Sequence, residues 1–272
     1  MKKRIKWLIA GAVTAVLLGG YCIWQNEDIG VTHYTYTTDR IGEELNGYKI
    51  VHVSDLHNKE FGENNKRLIS LISAEHPDII VISGDMVDSR RTDVEAALRF
   101  VSQVVNIAPV YYATGNHEEH LEDDTLAYLL SSLEEIGATV LENEAVTVYK
   151  DDESFVLFGL KDGTLETISD AYTDTDKLKL MIAHRPQHLE AYNKLGANLV
   201  FSGHAHGGQV RIPFVGGVIA PDQMFFPKYT EGMHSFGNVT VVISRGLGNS
   251  LCPIRVNNRP ELVVVTLKSD NM

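Results

Sequence analysis

From Tyr48 onward the chain alternates short β-branched runs with amphipathic stretches. The short runs predict strands at Lys49–Val53, Asp78–Ile82, Val110–Ala113, Ser154–Gly159, Leu178–Ile182, Asn198–Phe201, Val239–Ile243 and Leu262–Leu267. The amphipathic stretches predict helices at Asn65–Ala74, Asp93–Val105, Asp124–Ile136 and Pro186–Lys194. Strands interleaved with helices are the pattern of a layered α/β domain. No internal repeat or low-complexity tract interrupts it.

The N-terminus follows a different rule. Lys2, Lys3, Arg4 and Lys6 precede a run from Trp7 to Trp24 that contains no charge. At a helical rise of roughly 1.5 Å per residue, such a run approaches the roughly 30 Å hydrocarbon thickness of a bilayer. A cleaved secretory signal and an uncleaved anchor both begin this way. The anchor fits better, because the run exceeds a usual signal core, Trp7 and Trp24 sit at its ends like interfacial belt residues, and no small-x-small cleavage site precedes Glu27-Asp28. Cys22 has Gly19 three residues before it instead of the aliphatic residue of a lipoprotein site, and Lys3-Arg4 is no twin-arginine pair. With the basic residues all before the helix, the positive-inside rule leaves the N-terminus in the cytoplasm and places the rest outside the cell membrane. The chain thus divides into an anchor (1–24), a linker or stalk with an entry strand (25–46) and one large domain (47–268). Cys22 lies in the apolar run, which leaves Cys252 without a disulfide partner.

The formal net charge of the 272 residues is −12. Residues 1–24 hold four of the 24 basic groups and none of the 36 acidic ones, so the remainder stands near −16. Such a surface repels a phosphate backbone and argues against nucleic acid as a partner.

Polar clusters follow the predicted strands directly: Ser54-Asp55-Leu56-His57, Ser83-Gly84-Asp85, Thr114-Gly115-Asn116-His117, Ala183-His184 and Ser202-Gly203-His204-Ala205-His206. The carboxyl ends of strands are where ligand sites assemble in sheets with helical crossovers. A single Asp, Asn or His at such a place is ordinarily a cap or turn residue; seven of them together are not. Asp55, His57, Asp85, Asn116, His184, His204 and His206 offer carboxylate, imidazole and amide groups without a thiolate, which suits divalent Mn, Fe, Zn or Co. Seven groups exceed what one ion with an open position takes, and a carboxylate can bridge two ions roughly 3.5–4 Å apart. Gly84, Gly115 and Gly203 suit sharp turns that lift these groups out of the strand ends.

In order, Asp55-x-His57, Gly84-Asp85-x-x-Asp88, Gly115-Asn116-His117-Glu118, an isolated His184 and Gly203-His204-x-His206 resemble the full motif set of the calcineurin-like metallophosphoesterases, over roughly Tyr48 to Leu267. Gly203 to Gln209, Ser244-Arg245-Gly246-Leu247-Gly248 and Pro253-Ile254-Arg255 are similar to the membrane-anchored bacterial branch, some members of which act on lipid-linked phosphoesters of the envelope. The resemblance implies a four-layer αββα sandwich of two mixed sheets, with Asp55, His57, Asp85 and His206 on one metal and Asp85, Asn116, His184 and His204 on a second. It implies attack on phosphorus by a metal-bridging hydroxide, with His117 protonating the leaving oxygen and Asp88 orienting His117. Protein Ser/Thr phosphatases have Arg-Gly after the second motif where this chain has Ser89-Arg90, which puts a phosphate-clamping arginine in doubt there.

Bland readings are kept for other groups. Arg185, Arg245 and Arg255 could hold a substrate phosphate but read better as structural ion-pair or carbonyl-bound residues, His33, His52, His76, His120, His188 and His234 read as surface or core groups, and Phe214–Met233, with Phe225-Phe226-Pro227, could be an apolar loop near the membrane or the site but reads better as ordinary core packing. The expected function is metal-dependent hydrolysis of a phosphomonoester or phosphodiester, with a lipid-linked envelope substrate in view. The alternatives are a metal-retaining scaffold without turnover and a nuclease.

Overall fold

The computed structural model describes residues 2–165, 176–249 and 253–271; Cys252 lies outside them. Along the chain run α1 (Lys2–Glu27), β1 (Gly30–Thr38), β2 (Lys49–Val53), α2 (Lys66–Glu75), β3 (Ile79–Ile82), α3 (Val94–Val104), β4 (Val110–Tyr112), α4 (Asn116–Glu119), α5 (Asp123–Glu135), β5 (Thr139–Val140), β6 (Glu144–Lys150) and β7 (Glu153–Gly159). They are followed by β8 (Lys179–Ile182), α6 (Leu189–Lys194), β9 (Leu199–Ser202), four two-residue strands, β10 (Arg211–Ile212), β11 (Gly216–Gly217), β12 (Ile219–Ala220) and β13 (Met224–Phe225), and then β14 (Gly232–Phe236), β15 (Val239–Ile243) and β16 (Glu261–Ser269).

Alternation along the central strands sorts side chains into three cores. Val51, Val53, Ile80 and Ile82 point to one side, against Leu68 and Ile72 of α2, Phe100 and Val101 of α3 and Leu129 and Leu133 of α5. Their neighbours Ile50, Ile79 and Val81 point the other way and meet Leu180, Ile182, Phe201 and Val242 of a second sheet. Met181, Val200, Val241 and Ile243 face outward from that sheet onto Leu189 and Tyr192 of α6. Strands buried on both faces cannot alternate apolar with polar, which is why these runs are continuously apolar.

The result is helix, sheet, sheet, helix. One six-stranded sheet has the order β1-β16-β2-β3-β4-β5 and the other β14-β15-β9-β8-β7-β6. In the first, β2, β3, β4 and β5 are parallel and β16 is antiparallel to β2. In the second, β7, β8, β9 and β15 are parallel. The carboxyl ends of β2, β3, β4, β8 and β9 therefore meet on one rim between the sheets, joined there by hydrogen bonds such as Gly203 N to His184 O at 3.0 Å.

All eight expected strands and all four expected helices form, with ends shifted by a few residues. Asp93 caps α3 by accepting from Ala96 N at 3.0 Å. Edge strands escape the pattern. In β6 only Val148 is buried, so a solvated edge pairs with β7 without an apolar run. The helix expected over Pro186–Lys194 opens as a 3₁₀ turn, Pro186–His188. The segment after the apolar run is no loose stalk: α1 continues to Glu27, Gln25 is buried, and β1 pairs with β16 over nine positions.

The core-packing reading of Phe214–Met233 fails over 214–226, whereas Tyr229 and Met233 do pack against the cores. Phe214, Val215, Ile219, Met224, Phe225 and Phe226 are all exposed. Two-residue strands fold this segment into two hairpins, β10–β11 and β12–β13, outside both sheets, which leaves no layer to cover those side chains.

Candidate metal centre

Asp55 and His57 follow β2, Asp85 follows β3, Asn116 and His117 open α4 after β4, His184 follows β8, and His204 and His206 follow β9. To leave the strands and face one point, Asp55, His57, Asp85, His204 and His206 all adopt left-handed backbone, with φ between 47° and 65°. Each such non-glycine residue costs roughly 1–3 kcal/mol and persists only where its surroundings impose it. Gly84 also has a positive φ, 85°. Gly203 is needed for closeness instead: a Cβ there would lie 1.9 Å from Ser54 Oγ and 2.1 Å from Asp55 Oδ2. Gly115 likewise has an extended φ of −106°, and a Cβ on it would sit 2.4 Å from Asp85 Oδ1. The expectation of sharp turns thus fits Gly84, whereas the other two glycines let strand ends approach.

The side chains form two groups. Asp55, His57, Asp85 and His206 place ligand atoms within 4.8 Å of one another, and Asp85, His184 and His204 do the same. His57 Nε2 is 3.1 Å from His206 Nε2 and 3.6 Å from Asp85 Oδ2; His206 Nε2 is 3.4 Å from Asp55 Oδ1. In the second group His184 Nε2 is 3.1 Å from Asp85 Oδ2, 3.1 Å from Asn116 Oδ1 and 3.2 Å from His204 Nδ1. Asp85 Oδ2 thus belongs to both, while its Oδ1 accepts from His117 N at 2.8 Å.

The proton inventory of the second group shows what fits there. His184 Nδ1 faces the carbonyl oxygen of Ser83 at 2.7 Å, so it donates. His204 Nε2 faces the carboxylate of Asp222 at 3.0 Å, so it also donates. In the neutral rings both remaining nitrogens carry lone pairs, and they point at each other across 3.2 Å beside an anionic oxygen. A cation resolves that repulsion, and an outer carboxylate or carbonyl holding the far nitrogen is the usual support of a metal-binding imidazole. Electrostatics agree. Burial drives His57 down to about 3 and, with His184 beside it, His204 to about 4, keeping both rings neutral. Burial would lower His184 too, but the Asp85 and Asp55 carboxylates more than reverse this and raise it to about 10. The negative field that holds a proton on His184 is the field a divalent ion would take over.

Further supports surround the centre. Glu118, fully buried, accepts from Asp85 N at 2.7 Å, Met86 N at 2.8 Å and Gly115 N at 2.9 Å, clamping two ligand loops together. Asp222 links His204 to Arg185. The Ser244–Gly248 loop braces Asp55, since Leu247 N donates to Ser54 O at 3.1 Å and Gly248 N to Asp55 O at 2.6 Å. Arg255 is buried beneath that loop and donates to Arg245 O at 2.8 Å, Gly248 O at 2.5 Å and Asn249 Oδ1 at 2.9 Å. Arg185 grips Asp162 and Arg245 grips Glu261, at 2.8 and 3.0 Å, as structural arginines do.

Asp88 meets His117 less directly than a hydrogen bond to the ring would. The His117 Nδ1 atom accepts from Ser89 N at 3.0 Å, whereas the Asp88 carboxylate stands 3.5 Å away and is occupied by Arg90 N and Nε at 3.1 and 3.2 Å. The turn that Asp88 caps presents the Ser89 amide to the ring, so Asp88 acts on His117 through the backbone. An acceptor at Nδ1 leaves the ring proton on Nε2. His117, Arg90, His120 and Pro221 line a cleft of about 340 Å³ together with Asp85, Asn116, His204 and His206. A guanidinium is therefore at the site after all, bound to Asp88.

Residues 48–208 match the family described as calcineurin-like phosphoesterase. The chain is 33% identical to the uncharacterized metallophosphoesterase YkuE of Bacillus subtilis, over 97% of this chain and 94% of that protein. It is 29% identical to phosphodiesterase YaeI of Escherichia coli, over 81% of this chain and 82% of that protein. A transmembrane protein with metallophosphoesterase domain from Danio rerio is 26% identical over 96% of this chain and 62% of its own length. With its ligand loops, its two-sheet architecture and these relatives, the chain belongs to the calcineurin-like phosphoesterase family and is a hydrolase of phosphoester bonds.

Proposed function

We propose that the chain hydrolyses a phosphodiester or phosphomonoester at a dinuclear site, with Asp55, His57, Asp85 and His206 holding one divalent ion and Asp85, Asn116, His184 and His204 the other. The observation that carries this reading is Asp85 Oδ2, which lies 3.6 Å from His57 Nε2 and 3.1 Å from His184 Nε2. When bound, two divalent cations such as Mn, Fe or Zn would neutralise the phosphoryl oxygens and acidify the attacking water. The chain's own groups do the rest. Asp85 keeps the two ligand groups at a fixed separation, with its second oxygen tied to His117 N. The His117 ring, oriented by Ser89, holds a proton on Nε2 at the cleft wall and delivers it to the leaving oxygen. Asp222 keeps the His204 proton on Nε2 and its lone pair on the centre.

A diester is the preferred class, since a relative with 82% coverage is named a phosphodiesterase. The helix α1 is long and apolar enough to cross a bilayer, and its exposed side chains together with the relative named a transmembrane protein support a membrane-anchored enzyme; the basic residues before Trp7 are the support for a domain outside the cytoplasm. The net charge near −16 beyond the anchor disfavours a nuclease. The open cleft lined by His117 favours turnover over a metal-retaining scaffold.

The test is metal analysis of the full chain in detergent, alongside hydrolysis of bis-p-nitrophenyl phosphate. Two ions per chain are expected, with Asp85→Asn losing both ions and activity. A fully active Asp85→Asn chain would sink the dinuclear assignment.

A further inference from the structure

The hairpins over residues 211–226 carry seven exposed large apolar side chains, Ile212, Phe214, Val215, Ile219, Met224, Phe225 and Phe226; Phe225 and Phe226 keep 66% and 63% of their surface in solvent. The only charges in that stretch are Arg211 and Asp222. Both are paired, Arg211 with Gly207 O at 2.8 Å and with Glu231, and Asp222, with 46% of its side chain in solvent, with His204 and Arg185. Apart from Asp222, the exposed face of the hairpins is uncharged and rich in aromatics, which for a water-exposed surface marks an apolar partner.

Its position relative to α1 says which partner. The C-terminal end of α1 is seated on the domain: Gln25 Oε1 accepts from Asn258 N at 3.0 Å, Lys59 reaches Asn26 O, and the Arg259 guanidinium lies 5.4 Å from the centre of the Trp24 ring. Asn257 bonds Tyr21 of α1 through Oδ1, and through Nδ2 it donates to Arg211 O at 3.1 Å, where the first hairpin begins. Phe214 is three residues further, at most roughly 10 Å of extended chain. The apolar lip and the membrane-spanning helix therefore leave the domain side by side.

The metal centre opens between them. A cleft of about 490 Å³ is lined by Asn26 and Glu27 of α1 together with His57 and Lys59. On the other flank Pro221, in the turn between β12 and β13, lines the His117 cleft. We propose that the Arg211–Phe226 lip seats in the headgroup boundary of a phospholipid bilayer beside α1, and that the centre takes its phosphoester from a lipid headgroup in that leaflet. Aromatic and aliphatic side chains with no adjacent charge partition into that boundary, buried roughly 5–10 Å deep. The substrate half of this proposal rests on the hydrolase reading above; the lip itself does not.

Two measurements on the full chain in phosphatidylcholine nanodiscs separate the halves. In a background with Trp7→Phe and Trp24→Phe, a single tryptophan is placed by Phe225→Trp, or by Tyr149→Trp at an exposed site on β6 as a control. Phospholipids brominated on the acyl chains should quench fluorescence at position 225 and not at 149. No quenching at 225 overturns the lip, as does quenching that appears only in discs holding two chains, which would assign the face to a second copy. For activity, Phe214→Ser with Phe225→Ser should lower hydrolysis of a disc-borne phospholipid headgroup ester by on the order of tenfold or more, with bis-p-nitrophenyl phosphate turnover unchanged. Equal rates on both substrates overturn lipid delivery. A wild-type chain inert on both substrates, with quenching intact, defeats the hydrolase reading and leaves the lip standing.

Discussion

Single residues at this site act through protons as much as through charge. His117 has its Nδ1 occupied by the Ser89 amide, which confines its transferable proton to Nε2. His117→Ala should keep both ions yet lose on the order of 10²–10⁴ in rate on esters with poor leaving groups. The loss should shrink on p-nitrophenyl esters, whose leaving oxygen needs little protonation, and equal losses for both would remove the general-acid role. His52, between the sheets, is a separate case. Burial holds it down to about 3 against an ordinary 6.5, with Nε2 2.8 Å from Ser83 Oγ. Between those values the unfolded chain binds a proton that the folded chain refuses. The stability tied to this group is thus complete above pH 6.5 and is lost as pH falls toward 3, by up to about 1.4 kcal/mol per pH unit. His52→Asn should flatten this limb, so its denaturation midpoint should fall less than the wild-type midpoint between pH 7 and 5. Parallel pH curves for the two chains would refute it.

At the scale of elements, the strand ends are separate loops that need a tie. Glu118 supplies it, because one carboxylate serves amides from the β3 loop and the β4 loop at once. Glu118→Ala would take this acceptor from four buried N–H groups, those of Asp85, Met86, Val87 and Gly115, at roughly 1–3 kcal/mol each. We expect a loss of several kcal/mol in chemical denaturation and weakened metal retention, and a smaller loss for Glu118→Gln, which keeps one acceptor oxygen. An alanine variant within about 0.5 kcal/mol of wild type would show that water replaces the carboxylate. The quartet Gly115-Asn116-His117-Glu118 made Glu118 visible as a motif member in the sequence, but its partners in the β3 loop, Asp85 and Met86, are 33 and 32 positions away and could not be read there.

In the proposed orientation of the whole molecule, the basic residues before Trp7 stay in the cytoplasm and α1, seated on the domain, holds the candidate centre at the outer face of the cell membrane. Protease added to intact spheroplasts should remove the domain and leave a short membrane-bound stub; protection would mean the reverse orientation. The sequence by itself determined the layered α/β class, the membrane-length helix, and the identity and order of the groups that are candidates for metal binding. Those depend on local chemistry: apolar run length, strand and helix period, and which side chains carry lone pairs after a strand. Only the tertiary structure decided that Asp85 shares one oxygen between two ligand groups, that Ser89 holds His117 where Asp88 was expected, that Asp222 supports His204, and that Phe214 to Phe226 face outward. Each of these depends on which distant segments meet, as when His57 and His206 come within 3.1 Å across 149 positions, and composition carries no record of such meetings.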